Sequence, residues 1–219
     1  MSMNLDLFDE ADPQPARSES IGPRSVVLRG YALPVADALL QSLDEVIRQS
    51  PFRRMETPGG HLMSVALSNC GRLGWTTDHD GYRYTPADPL SGRPWPDMPP
   101  AFAALGREAA AAAGFAGFEP DACLLNRYEP GARMSLHQDR NERDFSAPIV
   151  SVSLGMPAVF LFGGLARSDP AARVPLFHGD VVVWGGADRL RFHGVLPLKD
   201  RPHPRLGSLR LNLTLRKAG

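Results

Sequence analysis

The sequence predicts a mainly β chain with flanking helices, an α+β arrangement whose core is a sandwich or jelly roll. Three observations carry that expectation. Short apolar or alternating segments recur from Ala122 to the end of the chain, the pattern of strands rather than long helices. With 21 Gly and 21 Pro in 219 residues, turns are frequent. The breaks between the later segments carry the pairs Gly163-Gly164 and Gly185-Gly186, not the helices that alternate with strands in a parallel sheet.

Length suits one large domain, or one with an elaborated N-terminal half. A hydrophobic share of 43% is ample for a core, and 22% charged residues is ordinary. No apolar run approaches a membrane span, and MSMNLDLFDE lacks a basic start followed by an apolar stretch. A cytoplasmic location is therefore expected. Cys70 and Cys123 lack metal-site spacing, and reduced buried thiols are favoured over a disulfide. A net charge of zero hides an asymmetry. Residues 1–130 carry 11 basic and 17 acidic side chains, residues 131–219 carry 13 and 7. Such a bias either draws a polyanion toward a cleft or is simple drift of surface charge.

Taken in order, residues 1–24 are acidic and bear Pro and Ser, which reads as a loose tail. Ser25-Val26-Val27-Leu28-Arg29 is a short strand. Pro34 opens a helix in which Val35, Leu39, Leu43, Val46 and Ile47 recur at helical spacing until Ser50-Pro51. That helix should cover a sheet. From Phe52 to Trp95, arginines and aromatics alternate with glycines. They suit either nucleic acid, through stacking and phosphate contacts, or an aromatic hairpin held by its own cross-strand pairs. A second helix runs through Phe102, Leu105 and Ala109 to Ala113, and Gly114 ends it. Strands then follow around Leu124–Tyr128, Leu136–Asp139, Pro148–Leu154, Ala158–Phe162, Val181–Trp184 and Leu209–Leu215.

Two of these strands carry chemistry. His137 and Asp139 are one residue apart, so an extended strand would present both on one face. With His193 in Arg191-Phe192-His193-Gly194, they make the two-imidazole, one-carboxylate set of non-haem Fe(II) oxygenases. His178, in His178-Gly179-Asp180, is the rival third ligand. In the closing strand, Arg210, Asn212, Thr214 and Arg216 share one face and Leu209, Leu211, Leu213 and Leu215 the other. Buried arginines without partners are costly, so an acidic protein group or a bound carboxylate must answer them.

These motifs occur in a longer series: Ser50-Pro51-Phe52-Arg53, Thr57-Pro58-Gly59-Gly60, Leu73-Gly74-Trp75-Thr76-Thr77, Pro120 to Leu124, Asn126-Arg127-Tyr128, and His178 to Gly186. From about Ser25 to Arg216 the sequence resembles the AlkB family of Fe(II)- and 2-oxoglutarate-dependent nucleic-acid dealkylases, the bacterial type in particular. The resemblance implies a double-stranded β-helix (jelly-roll) core over 119–219, support helices with a nucleotide-recognition lid over 25–118, and a flexible tail over 1–24. It implies Fe(II) on His137, Asp139 and His193, and 2-oxoglutarate on Asn126, Tyr128, Arg210, Asn212 and Arg216, with O2 as co-reactant. Substrate contacts would come from Trp75, Tyr82, Ser135, Asn141 and Arg167, with the base between Trp75 and His137. Expected partners are alkylated single- or double-stranded DNA, with RNA as a further candidate, acted on by a monomer away from any membrane.

The implied reaction removes N-alkyl groups from 1-methyladenine or 3-methylcytosine, releasing formaldehyde, succinate and CO2. Lesions that block pairing are the cheaper bases to flip out. One position departs from the family's pattern. Close relatives carry aspartate where Asn141 stands, so the preference for cationic bases should be weaker. Two alternatives compete: an Fe(II)/2-oxoglutarate hydroxylase of a small molecule or protein, and a non-enzymatic cupin-like sensor. The intact ligand set and both arginines argue against the sensor, and the lid motifs against the other hydroxylase.

Overall fold

The computed structural model describes residues 17–219, and regular structure begins at once. Strand β1 (Arg17–Gly22) lies antiparallel to β2 (Ser25–Arg29). This corrects the loose tail expected over 1–24: residues 1–16 lie outside the described residues, but 17–22 form a sheet edge. A strand paired on one side needs little apolar surface, so its polar sequence hid it. Glu19 fastens it to Arg29 at 2.7 Å, and Arg29 also meets Asp180 at 2.7 Å.

A 3-10 turn over Leu33–Val35 takes up Pro34, and α1 (Ala36–Gln49) follows. There the missing proline N–H has no helical partner to lose. Ser50 N–H still bonds the Val46 carbonyl at 2.8 Å, and Pro51 stops the helix. Next come β3 (Ala66–Gly71), then the separate hairpin β4 (Gly74–Asp78) and β5 (Gly81–Thr85). Helix α2 (Pro100–Ala112) closes at Gly114, whose φ of 82° is cheap only for glycine.

The later strands are β6 (Ala122–Tyr128), β7 (Met134–His137), β8 (Ile149–Gly155) and β9 (Ala158–Phe162). They continue with β10 (Ala172–Leu176), β11 (Val181–Trp184), β12 (His193–Val195) and β13 (Arg210–Arg216). One antiparallel sheet has the order β1-β2-β11-β8-β13-β6-β3 and a second β10-β9-β12-β7. Strands from both sides of residue 118 share the first sheet, so the N-terminal half is built into the jelly roll rather than appended to it.

Two cores follow from this layering. Leu39, Leu43 and Val46 of α1, with Phe102, Leu105 and Ala109 of α2, pack on one face of the large sheet against Leu125, Val150, Val152, Leu211, Leu213 and Leu215. Leu124, Tyr128, Ile149, Val182 and Trp184 face the other way, toward Phe160, Phe162, Val174 and Val195 of the small sheet. Covered on both faces, β8, β11 and β13 are buried at every residue. The polar side of β13 therefore points between the sheets, where water is scarce. Cys70 and Cys123 are free, buried, and directly opposite each other on β3 and β6. Among the described residues no helix is long and apolar enough to cross a membrane.

Candidate active site

His137 ends β7 and His193 begins β12, and the two are register partners across that strand pair. Their rings lie 4.4 Å apart, centroid to centroid. Glycine at 194 makes the approach possible, since a Cβ there would stand 2.7 Å from the Met134 carbonyl oxygen. Asp139 lies just past the end of β7, in the loop, rather than on the strand with His137 as the spacing suggested. Its Oδ1 is 3.7 Å from His137 Nε2 and its Oδ2 3.7 Å from His193 Nε2. The three ligand atoms lie within 4.8 Å of one another, close enough to hold one metal ion.

Tautomers agree with that use. His137 Nδ1 donates to the Ser135 carbonyl at 2.8 Å, and His193 Nδ1 to the Arg191 carbonyl at 3.0 Å. A carbonyl can only accept, so each Nε2 keeps its lone pair for a metal. Burial, reinforced by His137, lowers the His193 pKa to about 4, so the ring is neutral at physiological pH. Burial alone would raise the Asp139 pKa, but Arg216 above all, then the two histidines, hold it well below the usual range. Arg216 donates to Asp139 Oδ2 twice, at 2.6 Å and 2.9 Å. His178, the rival ligand, sits elsewhere: its Nδ1 accepts the Gly155 N–H at 3.0 Å and its ring faces His203.

Beside this set lies a cavity lined by Asn126, Tyr128, Arg210, Asn212, Arg216, His137 and His193. Asn126 and Asn212 are cross-strand partners, as are Tyr128 and Arg210. Asn126 Nδ2 donates to Asn212 Oδ1 at 3.1 Å, and Asn212 Nδ2 to Ser151 Oγ at 2.8 Å. Arg210 is 2% exposed, and its Nη2 donates to Ser153 Oγ at 3.0 Å. Among the described residues its Nε and Nη1 meet no acceptor at hydrogen-bonding geometry, and the Tyr128 side chain lies beside the guanidinium, its ring centroid 4.9 Å away. Burial pulls the Arg210 pKa down, yet a guanidinium stays charged in proteins. A buried cation with unused donors on its guanidinium fits an anionic carboxylate. The residues present therefore fit Fe(II) on the triad and a dicarboxylate reaching from it to Arg210. Arg216, expected on the same anion, borders the cavity, but Asp139 and Glu142 already answer its charge.

The hairpin β4–β5 meets the loop that follows Asp139. Trp75 stacks on Tyr82 with centroids 5.6 Å apart, and the Tyr82 residue is 48% exposed. Asn141 links hairpin and metal loop through long contacts, accepting from Trp75 Nε1 and donating to the Tyr82 carbonyl, both at 3.5 Å. The segment contains the aromatic hairpin that one of the two sequence readings offered. Ser135 is exposed on β7. Arg167 is exposed after β9, its guanidinium 5.9 Å from the ring centroid of Phe192, the neighbour of His193.

Several residues of this neighbourhood went unnoticed in the sequence. Glu142 is 6% exposed; its Oε1 accepts from Tyr84 Oη at 2.6 Å and lies 3.5 Å from Arg216 Nε. Burial first, with Glu142 and Asp139, raises the Tyr84 pKa well above its usual value, so the phenol remains a donor. Arg189 is 2% exposed and Ser153 likewise 2%. The nearness of Glu142 to the His-x-Asp pair was a usable signal, but nothing local marked Tyr84, Ser153 or Arg189.

The model of the 2OG-Fe(II) oxygenase superfamily matches residues 25–216. The chain is 59% identical to the alpha-ketoglutarate-dependent dioxygenase AlkB of Salmonella typhimurium over 215 residues, 98% of each chain. It is 37% identical over 134 residues to the nucleic acid dioxygenase ALKBH1 of Mus musculus, spanning 61% of this chain and 33% of that one. The solved structure of OsALKBH1 superposes with a TM-score of 0.79 at 27% identity, over 92% of this chain and 100% of the other. Near-complete coverage by both the family model and the Salmonella relative, on a jelly roll that gathers His137, Asp139 and His193, places the chain in the AlkB family of Fe(II)- and 2-oxoglutarate-dependent dioxygenases.

Proposed function

We propose that this dioxygenase oxidatively demethylates N-alkylated bases of the 1-methyladenine and 3-methylcytosine type, in DNA and also in RNA, working as a cytoplasmic monomer. One observation carries the reading: the aromatic hairpin with Trp75 and Tyr82 meets the metal loop at Asn141, beside the triad. A small-molecule hydroxylase needs the triad and Arg210 but has no use for an exposed aromatic hairpin.

The side chains divide the work. His137, Asp139 and His193 would hold Fe(II) on one face through two Nε2 atoms and a carboxylate. Arg210 would take one carboxylate of 2-oxoglutarate through its free guanidinium donors, Arg216 would stand at the other end beside Asp139, and Asn126, Tyr128 and Asn212 would line the stem. Bound Fe(II), with 2-oxoglutarate and O2, supplies the oxidation that hydroxylates the N-alkyl carbon, after which the base is freed with loss of formaldehyde. Trp75 would stack on the flipped base, and the His137 side chain, still 38% exposed, would form the opposite wall. Tyr82 would meet the substrate backbone, Asn141 the base edge, and Ser135 and Arg167 the rim. Within residues 25–118, whose strands β2 and β3 join the large sheet, we assign the helices to support and the Thr57-Pro58-Gly59-Gly60 segment to the lid, a turn closed by Gly60 N–H on the Thr57 carbonyl at 2.8 Å.

The decisive assay incubates the protein with Fe(II), ascorbate, 2-oxoglutarate and a methylated single-stranded oligonucleotide. Formaldehyde and succinate should appear together. Succinate without formaldehyde from DNA or RNA oligonucleotides would shift the reading to another substrate class.

A further inference from the structure

The segment from Gly185 to Phe192 connects β11 to His193, and four successive residues in it hold different parts of the site. Asp188 anchors it, accepting from Arg24 N–H at 2.7 Å, Ser25 Oγ at 2.7 Å and Arg191 Nε at 2.5 Å. The Leu190 carbonyl accepts from Gln138 Nε2 at 2.6 Å, between the ligands His137 and Asp139. The Arg191 carbonyl accepts from His193 Nδ1 at 3.0 Å. Arg189 does the most. Its Nη1 donates to the main-chain carbonyl of Asp139 at 2.8 Å and its Nε to that of Ala147 at 3.1 Å. Its Nη2 lies 3.1 Å from Glu142 Oε2, and its guanidinium 5.4 Å from the Phe145 ring centroid.

We infer that Arg189 is a positioning residue of the metal centre, one that fixes the loop from Asp139 to Ala147. It touches neither the metal ligand atoms nor the cavity, yet it grips both ends of that loop and, through Glu142, its middle. The loop bears the ligand carboxylate and Asn141, and it is irregular backbone. Without a grip its Asp139 carboxylate would face Arg216 and the two imidazoles in several orientations. A rigid planar fork can hold two carbonyls and a carboxylate at once, and a lysine cannot. The inference rests on the dioxygenase reading for its catalytic consequence only.

The test uses the full chain with Arg189→Gln, Arg189→Lys and Ser25→Ala, the last loosening the anchor at Asp188 without touching the Asp139–Ala147 loop. Mn(II) binding is titrated by electron paramagnetic resonance. Arg189→Gln should weaken Mn(II) binding roughly ten- to hundredfold, the usual cost of losing an outer partner of a ligand. Arg189→Lys should recover only part of that loss. Ser25→Ala should lower the melting temperature while Mn(II) binds as in wild type. With Fe(II) and a methylated oligonucleotide, Arg189→Gln should also raise the ratio of succinate to formaldehyde. Wild-type Mn(II) affinity in Arg189→Gln would overturn the inference, as would losses that track melting temperature across all three variants. If Arg189→Gln fails to fold, Arg189→Lys carries the same comparison. Should wild type release no formaldehyde, the proposed substrate falls, and the Mn(II) titrations still decide the role of Arg189.

Discussion

The two ends of β13 present the same residue to the same interior, with different outcomes. At the C-terminal end Arg216 gives two hydrogen bonds to Asp139 and lies beside Glu142, so protein carboxylates match its charge. At the N-terminal end Arg210 is equally buried but has Ser153, the face of Tyr128 and two idle donors. Burying an unmatched guanidinium costs several kcal/mol, so the fold holds this cost until an anion arrives. The contrast supports the proposal that Arg210 meets the cosubstrate's free carboxylate, while Arg216 also orients the Asp139 side chain.

The most forceful way to break that contrast is to remove each guanidinium in turn. Arg210→Met should raise the KM for 2-oxoglutarate at least about a hundredfold, since two charge-assisted hydrogen bonds at roughly 1.5–3 kcal/mol each are lost. The same variant, without metal or cosubstrate, should melt no lower than wild type, because a buried unpaired charge has gone. Arg216→Met should do the reverse, costing roughly 3–5 kcal/mol of apo stability in denaturant unfolding, as Asp139 and Glu142 lose their partner. Equal apo stabilities for the two variants would erase the distinction.

Next in size is a pH effect on the metal-free protein. Folded His193 has its pKa lowered to about 4 from 6.5. Below pH 6.5 the unfolded chain therefore takes up a proton that the folded chain refuses. Stability from this group is complete above about 6.5 and is lost as pH falls toward 4, by roughly 3 kcal/mol at 1.36 kcal/mol per pH unit. Asp139, also lowered, acts in the same direction at lower pH. Denaturant melts between pH 7 and 4 should show that slope, and His193→Leu should flatten it. A slope unchanged in His193→Leu would assign the effect to other groups. The smallest expected effect lies at Asn141. Asn141→Asp restores a negative charge beside Trp75 and should speed demethylation of 1-methyladenine and 3-methylcytosine oligonucleotides severalfold, within the roughly 1 kcal/mol of a partly exposed charge contact. Identical rates for both proteins would remove Asn141 from base recognition.

Legibility in the sequence followed how local each signal was. The strands Ser25–Arg29, Ala158–Phe162 and Val181–Trp184 were readable to the residue, because β-branched and aromatic runs between turns leave few alternatives. Strand β12, of three residues, and the polar edge β1 carried too little apolar signal. The metal motif was readable as residue types, but its geometry was not: Asp139 leaves the strand that His137 ends. Glu142, Tyr84 and Arg189 form a buried polar cluster drawn from three distant segments. No pattern within any one segment foretells such a meeting.

By itself the sequence determined the donor chemistry: two imidazoles, one carboxylate, and a strand with arginines on one face and leucines on the other. These follow from side-chain identity and the twofold period of a strand, which need no neighbours. Tertiary structure alone decided that His193 and not His178 stands opposite His137, and that Arg210 and not Arg216 keeps its donors free. Those outcomes depend on which strands pair and which charges end up buried together, through hydrogen bonds and desolvation that act only between groups the fold has brought within a few ångströms.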